Sequence, residues 1–211
     1  MSTRVAVAEI RTAVYRAFVA AGASTGEADE VADACTIAEV DDAGGVQLAV
    51  AGLSRVPRGR VGAVVEAGVP ARLRDPASRA TILQVRMALD WLGAHPGQAI
   101  ALAGAVGATA LGGALPAGGV AVEFAAGEPS GGCAVTPGGD LLRFTGAPDC
   151  SVPPCADGIV MLLATPTVGT LLRTAERHRR WLAACADGIC VDQQAWRTLT
   201  LAAQSYLVPE V

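Results

Sequence analysis

Lysine is absent from this 211-residue chain, in which all sixteen basic residues are arginine. Without a lysine the chain cannot form a Schiff base with pyridoxal phosphate or with an aldolase substrate. It also lacks the lysine with which P-loop proteins and protein kinases hold phosphate groups. These enzyme classes, and pyridoxal phosphate as a Schiff-base cofactor, are therefore excluded.

Charged residues (17%) and aromatic residues (4%) are also scarce, and the net charge is −4. Proteins that bind nucleic acids need a basic surface and usually aromatic rings that stack on bases, so we expect no nucleic-acid partner. Hydrophobic residues reach 52%. Because monomers rarely expose large apolar patches, this excess predicts a homo-oligomer or a complex with another protein.

A membrane-spanning segment is not expected. The one uncharged stretch of sufficient length, residues 99–122, contains six glycines and a proline, which suit a bilayer helix poorly. The amino-terminal residues MSTRVAVAEI lack the arrangement of a signal peptide. We therefore expect a cytoplasmic protein.

Residues 1–56 have a helical pattern. The first helix has an apolar face through Ile10, Val14 and Phe18 and a glycine placed to end it at position 22. Ser24 and Glu27 form a capping box for a second helix, and a third is predicted at residues 47–56. Three prolines and three glycines then mark residues 57–79 as a connecting segment.

From residue 80 onward, short apolar runs alternate with helical patterns. ATILQVRMALDWLG is predicted to begin as a strand and to continue as a helix, whereas AIALAGAVG, GGVAVEFAAG and GDLLRFTG are predicted strands. GIVMLLA suits a strand buried on both faces, followed by a helix from Thr165 (N-cap) and Pro166 to Trp181. DGICV predicts a strand, and Asp192 caps a closing helix.

These elements predict an α/β or α+β fold in which an N-terminal helical region is followed by a small mixed sheet flanked by helices. We divide the chain into a helical region (1–56), a connecting segment (57–79) and an α/β region (80–211). A single compact domain is the alternative.

The segment CADGI occurs twice, at residues 155–159 and 185–189. Asp-Gly is a turn dipeptide, so we interpret both copies as one joint that leads into a strand. Each copy's cysteine forms a pair with another cysteine five positions away, Cys150 with Cys155 and Cys185 with Cys190. This spacing is at the edge of the range for structural zinc, so we predict no metal and keep one zinc site as the alternative. We expect Cys35 and Cys190 to be buried apolar residues. The ligands of that alternative site would be Cys150, Cys155, Cys185 and Cys190.

The candidate ligand site lies beyond the buried strand. Ligands of open α/β sheets collect at the carboxyl ends of strands, and backbone N–H groups at a helix N-terminus bind anions. Arginines spaced along the following helix could bind a carboxylate or phosphate, although a solvated basic face is the alternative. The predicted substrate-binding residues are Thr165, Thr167, Gly169, Thr170, Arg173 and Arg177. No catalytic residue is assigned.

The segment VAEIRTAVYRAFVAAGASTGEADEVADACTIAEVDDAGGVQLAVAGL resembles the N-terminal part of the malate/L-lactate dehydrogenase family that includes ketimine and sulfolactate reductases. That family has Ser-His-Gly-Val after its second helix, with the histidine as proton donor in hydride transfer. The corresponding residues here are Ala43 to Val46, and Gly44 stands in the place of the histidine. The resemblance implies NAD(P) as cofactor, but without that proton donor.

The whole chain also resembles a bacterial family of unknown function. The first two helices, the buried strand before Thr165 and the ending WRTLTLAAQSYLVPE are similar to that family. This resemblance implies a fold and no activity.

Two functions follow from these observations, and the residues leave open whether the chain is an enzyme. The first is a cytoplasmic small-molecule enzyme that acts on a small carboxylate or an amino-acid-like substrate, related to malate and lactate dehydrogenases but without their histidine. The alternative is a catalytically inactive structural or regulatory subunit, indicated by Gly44 and by the high apolar content.

Overall fold

The computed structural model describes residues 1–56, 63–75, 80–116, 118–135, 141–146, 152–163, 171–172 and 174–207, and only the backbone of residues 171, 172, 174–177 and 207. Its helices are α1 (Val7–Ala21), α2 (Thr25–Val40), α3 (Gly45–Leu53), α4 (Thr81–Ala94), α5 (Thr174–Asp187) and α6 (Gln193–Gln204). Its strands are β1 (Ser2–Val5), β2 (Val64–Glu66), β3 (Ala71–Arg74), β4 (Ala99–Ala103), β5 (Gly119–Ala125), β6 (Glu128–Val135), β7 (Leu141–Phe144), β8 (Gly158–Leu163), β9 (Leu171–Leu172) and β10 (Ile189–Asp192).

The chain divides into two compact units. Unit 1 comprises the described parts of residues 1–61, 77–80 and 178–211, and unit 2 those of 62–76 and 81–177. After residue 177 the chain therefore returns to the unit that holds its N-terminus. None of the helices in the described ranges is long and apolar enough to cross a membrane.

Unit 1 consists mainly of helices. Helix α1 packs against α2 and α6, and the short antiparallel pair β1–β10 joins the two ends of the chain. Arg11 on α1 binds Asp29 and Asp33 on α2 at 2.8 and 2.6 Å. The core of the unit is apolar, with Ile10, Val14, Phe18, Val31, Cys35, Val46 and Leu199 among its buried residues.

Helices α1 and α2 confirm the sequence prediction. Gly22 ends α1 in the left-handed conformation at φ 106°. Ser24 accepts a hydrogen bond from the Glu27 N–H, and the Glu27 carboxylate accepts one from the Ser24 N–H at 2.9 Å, which completes the predicted capping box. Asp192 caps α6 through the Ala195 N–H at 2.8 Å, as predicted.

Unit 2 is built on a mixed sheet of eight strands in the order β2-β3-β4-β8-β5-β6-β7-β9. Only β3 and β4 run parallel, and every other neighbouring pair is antiparallel. Helix α4 packs on β4 and β8, and a 3₁₀ helix (Ala108–Gly113) packs on β5 and β6. The predicted fold class, a helical region followed by a mixed sheet flanked by helices, is therefore confirmed.

Strand β8 is buried on both faces, as its continuous apolar run predicts. Ile159, Val160 and Met161 are fully buried in the middle of the sheet. Val160 belongs to a cluster of buried side chains contributed by neighbouring strands, which stabilises this part of the sheet. The cluster consists of Ala101, Val120, Val122, Phe124, Ala134, Leu142 and Val160.

Two sequence predictions of secondary structure are wrong. The segment predicted to begin as a strand at residue 80 is helical throughout α4, because its apolar residues recur at helical spacing and face the sheet. The continuous helix predicted from Thr165 to Trp181 is interrupted, since residues 171–172 form β9, paired with β7, and α5 begins only at Thr174. Thr165 and Pro166 themselves lie outside the described residues.

Strands β2 and β3 form within the segment predicted to be only a connection. These strands are only three and four residues long. Their alternation of exposed and buried residues is therefore too short to be recognised among the neighbouring glycines and prolines. Pairing with β4 stabilises them, and this non-local contact is not visible in the local sequence.

Both CADGI segments lead into strands, as predicted, but they are not one type of joint. Gly158 begins β8 at φ 109°, and Gly188 stands immediately before β10 at φ 73°. The two joints differ in what precedes the glycine. Asp187 is the last residue of α5, so Gly188 ends a helix, whereas Ala156 and Asp157 form a bend.

Candidate functional site

The loop between α2 and α3 is the region that resembles the catalytic loop of the dehydrogenase family, and a buried carboxylate organises it. Glu39, only 7% exposed, accepts a hydrogen bond from the Val46 N–H at 2.7 Å. This bond satisfies a backbone donor that the start of α3 leaves without a partner inside the helix. Glu39 therefore fixes the entry of the chain into α3.

Two ionisable groups beside this loop, Glu39 and Cys35, are buried and have raised pKa values. Burial raises the pKa of Glu39, against the opposing effect of the Val46 N–H, and the nearby charge of Asp42 raises it further. Burial also raises the pKa of the Cys35 thiol to about 12, with a smaller contribution from Glu39. Both side chains lie inside unit 1. Their role in the described structure is to support the loop.

Gly44 and Gly45 differ in what favours glycine at each position, a left-handed backbone at Gly44 and a lack of space for a Cβ at Gly45. Gly44 is the N-cap of α3 at φ 73°, and a Cβ there would meet only the side chain of Gln47, at 3.5 Å. A Cβ on Gly45 would instead overlap the backbone carbonyl of Cys35 and come within 2.8 Å of the Glu39 nitrogen. Position 44 thus has space for a side chain, whereas position 45 does not.

A cleft of about 570 Å³ lies in unit 2, where β8 ends and where β3 and β4 begin. Cavities of this volume are typical of small-molecule sites. Since β8 runs antiparallel to β4, the cleft lies at the carboxyl end of β8 and at the amino ends of its neighbours. Its lining residues are Gly68, Val69, Pro70, Gly97, Gln98, Ala99, Pro153, Leu162 and Leu163.

The described lining of the cleft contains no ionisable side chain. Gln98 supplies an exposed amide, and the other lining residues are apolar or glycine. Such a surface can enclose an apolar group and orient it through a few hydrogen bonds. It cannot by itself neutralise a charged substrate.

His95 lies next to one wall of the cleft. The Gln98 N–H donates to the His95 carbonyl at 3.2 Å, which closes a tight turn between the histidine and the cleft-lining residues. The imidazole stacks on Trp91 with ring centroids 4.2 Å apart, and its Nδ1 lies 2.8 Å from the Trp91 carbonyl. Because a carbonyl only accepts, Nδ1 carries the proton in this contact, and Nε2 keeps its lone pair.

The predicted substrate-binding residues lie largely outside the described structure. Thr165, Thr167, Gly169, Thr170 and Arg173 are not among the described residues, and only the backbone of Arg177 is described, within α5. Leu163, which lines the cleft, precedes Thr165 by two residues in the sequence.

Arg180 lies on the same face of α5 as Arg177 and belongs to unit 1. Its Nε and Nη2 atoms are shielded from solvent and have no hydrogen-bond partner among the described residues. Shielding a guanidinium from solvent costs free energy unless an anion pairs with it.

The cysteines of the alternative zinc site differ in their environments. Cys150 lies outside the described residues, Cys155 is half-buried in unit 2, and Cys185 and Cys190 are exposed in unit 1. The expectation that Cys190 is buried is therefore wrong, since it points outward on the two-residue alternation of β10, whereas Cys35 is buried as predicted. Burial, and then the charge of Asp157, raises the pKa of Cys155. The described ranges contain no group of three His, Cys, Asp or Glu residues that could hold a metal.

Sequence reasoning missed Glu39 and Gln98. Glu39 had a signal, because it follows Cys35 by four residues and so continues the buried face of α2. A glutamate on such a face, five residues before the glycine pair that begins at Gly44, indicates a buried cap. Gln98 had no such signal, since the cleft is lined by four separate segments of the sequence, at residues 68–70, 97–99, 153 and 162–163.

Comparisons with known proteins support the fold. No protein-family model matches the chain, and no curated protein matches its sequence. Three solved structures are similar to it at low identity. A malate dehydrogenase from Entamoeba histolytica has TM-score 0.56 and 9% identity, covering 100% of this chain and 99% of its own. A dehydrogenase from Sinorhizobium meliloti has TM-score 0.59 and 13% identity, and the match covers 96% of this chain and 100% of that one.

The third is a delta1-piperideine-2-carboxylate reductase from Pseudomonas syringae pvar. tomato, with TM-score 0.51 and 14% identity, covering 95% of this chain and 99% of its own. The chain therefore shares the fold of malate dehydrogenase-like and related dehydrogenases and reductases. The resemblance to a bacterial family of unknown function stays a prediction.

Proposed function

We propose that this chain is a cytoplasmic enzyme that binds a small carboxylate or amino-acid-like substrate in the cleft at the end of β8. The observation that carries this proposal is the cleft, which has the volume of a small-molecule site. Two of the fold neighbours support the substrate class, since their names specify malate and piperideine-2-carboxylate. The residues proposed to hold the carboxylate are those that follow Leu163, from Thr165 to Arg173.

Proton transfer in this proposal falls to His95 and not to the α2–α3 loop. Gly44 has no side chain, and Glu39 is engaged by the Val46 N–H. His95 lies two residues before the cleft-lining Gly97 in the sequence, and its imidazole is held by its stacking on Trp91 and by its bond to the Trp91 carbonyl. A histidine whose Nδ1–H is engaged presents Nε2 as a base in its neutral form and as an acid when protonated.

The nicotinamide cofactor implied by the sequence resemblance does not fit the described residues of the cleft. A dinucleotide carries a diphosphate, which proteins hold with cations or with backbone N–H groups at a helix N-terminus. The described lining offers neither of these groups. We therefore derive no reaction step through that cofactor.

Calorimetric titration with a panel of small carboxylates (pyruvate, malate, lactate and piperideine-2-carboxylate) tests the proposed site. Gln98→Trp would fill part of the cleft from an exposed position, so we expect at least a tenfold loss of affinity for whichever compound binds. Gln194→Trp, an equally exposed change on α6, is the matched control. Equal affinity in the wild type and in Gln98→Trp would contradict the site.

A second experiment tests the role of His95. Exchange of the carbon-bound protons of the bound carboxylate with D₂O, followed by proton NMR, measures proton transfer without a cofactor. His95→Gln should lower the exchange rate about 10²-fold and should leave the carboxylate affinity within about threefold. An undiminished exchange rate in this variant would exclude His95 as the proton-exchanging group.

A catalytically inactive structural or regulatory subunit is the second candidate. Gly44 and the supporting role of Glu39 favour it, because the family's catalytic loop is here built as a structural turn. A native mass spectrum of the gently purified protein distinguishes the two. A second protein of fixed stoichiometry, with no turnover of any panel compound, would support the subunit. A retained small molecule would support the enzyme.

A further inference from the structure

The side chains that line the cleft of unit 2 become less polar from its rim to its floor. The exposed lining residues form the rim, which includes Gln98, the polar side chain of the described lining. The half-buried lining residues form the floor, and all of them are apolar. The rim consists of Gly68, Val69, Gly97 and Gln98, and the floor consists of Pro70, Ala99, Pro153, Leu162 and Leu163.

The floor of the cleft is continuous with the apolar core of unit 2. Ala99 and Leu162 are direct partners across the antiparallel pair β4–β8. Both also pack against the buried cluster that includes Val160. The floor is thus part of a closely packed and hydrogen-bonded structure, which holds its shape. An apolar group that displaces water from such a surface gains free energy.

A charged group is unsuited to this floor. The described lining has no ionisable side chain that could act as its partner. Removing a carboxylate from water without a counter-charge costs more free energy than burying an apolar group of the same shape gains. The carboxylate of a bound substrate must therefore stay outside the floor. A second carboxylate at the other end of the same molecule would be forced onto it.

We propose that the substrate has one carboxylate and an uncharged aliphatic side chain that fills the floor, and that Ala99 sets how large this side chain can be. The inference rests on the proposed function and narrows its substrate class to monocarboxylic acids with a branched aliphatic side chain. Ala99 is the smallest side chain of the floor, so it leaves space that a larger residue would fill. Dicarboxylates of the same shape are disfavoured by their second charge.

Two 2-hydroxy acids of the same shape separate the effect of charge from that of size. Malate has two carboxylate oxygens where 2-hydroxy-4-methylpentanoate has two methyl groups. In calorimetric titration the wild type should bind 2-hydroxy-4-methylpentanoate at least tenfold more tightly than malate. Along the series lactate, 2-hydroxybutanoate and 2-hydroxypentanoate, each added methylene should strengthen binding about three- to fourfold. Equal or tighter binding of malate, or an affinity that does not rise along the series, would overturn the inference.

Ala99→Leu tests the residue proposed to set the size of the side chain. The larger residue should weaken the binding of 2-hydroxy-4-methylpentanoate at least tenfold and that of lactate less than threefold, because lactate does not reach as far into the floor. Ala103→Leu, at the exposed other end of β4, is the matched control and should leave both affinities unchanged. Far-UV circular dichroism checks that both variants fold. An equal loss of both ligands in folded Ala99→Leu would contradict the role of Ala99.

A neutral compound distinguishes failure of this inference from failure of the proposed function. 4-Methylpentanamide has the branched side chain without a carboxylate, and methyl NMR of Leu162 and Leu163 reports its binding to the floor. If malate shifts these methyl groups and binds as tightly as the apolar acid, the inference is wrong and the proposed function stands. If no acid binds but the amide shifts both leucines, the proposed function is wrong and the apolar selectivity of the floor is supported. If no compound binds, both are wrong.

Discussion

The α2–α3 loop of unit 1 and the cleft of unit 2 differ in how their side chains are used. The loop is rich in carboxylates, and Glu39 and Asp41 are both buried. Glu39 bonds the start of α3 at 2.7 Å. The described lining of the cleft has about 570 Å³ of open space and no ionisable side chain. The carboxylate of Glu39 in the loop therefore stabilises the fold, whereas the described part of the cleft has room for a ligand but no charged side chain.

This difference separates the loop that resembles a catalytic loop in sequence from the region with space for a ligand. The sequence around Gly44 resembles that of the dehydrogenase family, but Glu39 beside it bonds the start of α3. If the proposed function is correct, binding and proton transfer belong to unit 2, where the fold leaves room for a ligand. Substitutions in the loop should then alter stability, and substitutions in the cleft should alter binding.

Gly45→Ala should have the largest effect on stability. The new Cβ would overlap the backbone of Cys35, and neither α2 nor α3 can shift without disrupting the core, so we expect a loss of about 3 kcal/mol or more. Urea denaturation measures it. Gly26→Ala on α2, where a Cβ has no neighbour within 4 Å, is the matched control and should be neutral or slightly stabilising. Equal stability of the two variants would show that the loop is not closely packed.

Glu39→Ala should cost about 2 kcal/mol, because the Val46 N–H loses its acceptor in a buried position. Glu39→Gln tests the electrostatics. Because burial raises the folded-state pKa of Glu39 above its ordinary value of 4.5, its stabilising contribution is complete below about pH 4.5 and is lost as the pH rises through the folded pKa. The free energy of unfolding of the wild type relative to Glu39→Gln should thus fall from pH 4.5 upward. Parallel curves would be evidence against a raised pKa.

Gly44→His should cost about 1 kcal/mol, which is the penalty of a left-handed backbone for a residue with a Cβ. The space beside Gln47 accommodates the new side chain. The variant should fold, as judged by urea denaturation, and should gain no turnover of the carboxylate panel if the site is in unit 2. Turnover that appears with the restored histidine would place catalysis in the loop.

Gln98→Trp should have the smallest effect on stability, within about 0.5 kcal/mol, because position 98 is exposed. Among the substitutions at positions 39, 44, 45 and 98, it should have the largest effect on ligand affinity. Thermal denaturation with and without the bound carboxylate measures both, since a ligand raises the melting temperature only of a protein that binds it. A ligand-induced rise equal to that of the wild type would contradict the assignment of the cleft.

Much of unit 1 could be predicted from the sequence because its signals are local. The capping box of Ser24 and Glu27 and the glycine at position 22 define helix ends within a few residues. Most of the central strands of unit 2 could also be predicted, since a run such as GIVMLLA is compatible with few other structures. Strands β2, β3 and β9 could not, because they depend on pairing with distant segments.

The candidate site was less predictable than the fold. The cleft brings together residues near positions 69, 98 and 162, and no local pattern connects them. The cap formed by Glu39 depends on a close approach of α3 to α2, which only the glycine pair suggests. The end of β8 was correctly located, and the residues proposed beyond it remain a prediction.

Two-dimensional amide and methyl NMR of this 21.2 kDa chain, titrated with the small carboxylates, tests the central claim most directly. The account predicts shifts at the cleft, in the side-chain amide of Gln98 and the methyl groups of Leu162 and Leu163, and none at residues 39–47. Shifts centred on the α2–α3 loop, with the cleft unaffected, would contradict it.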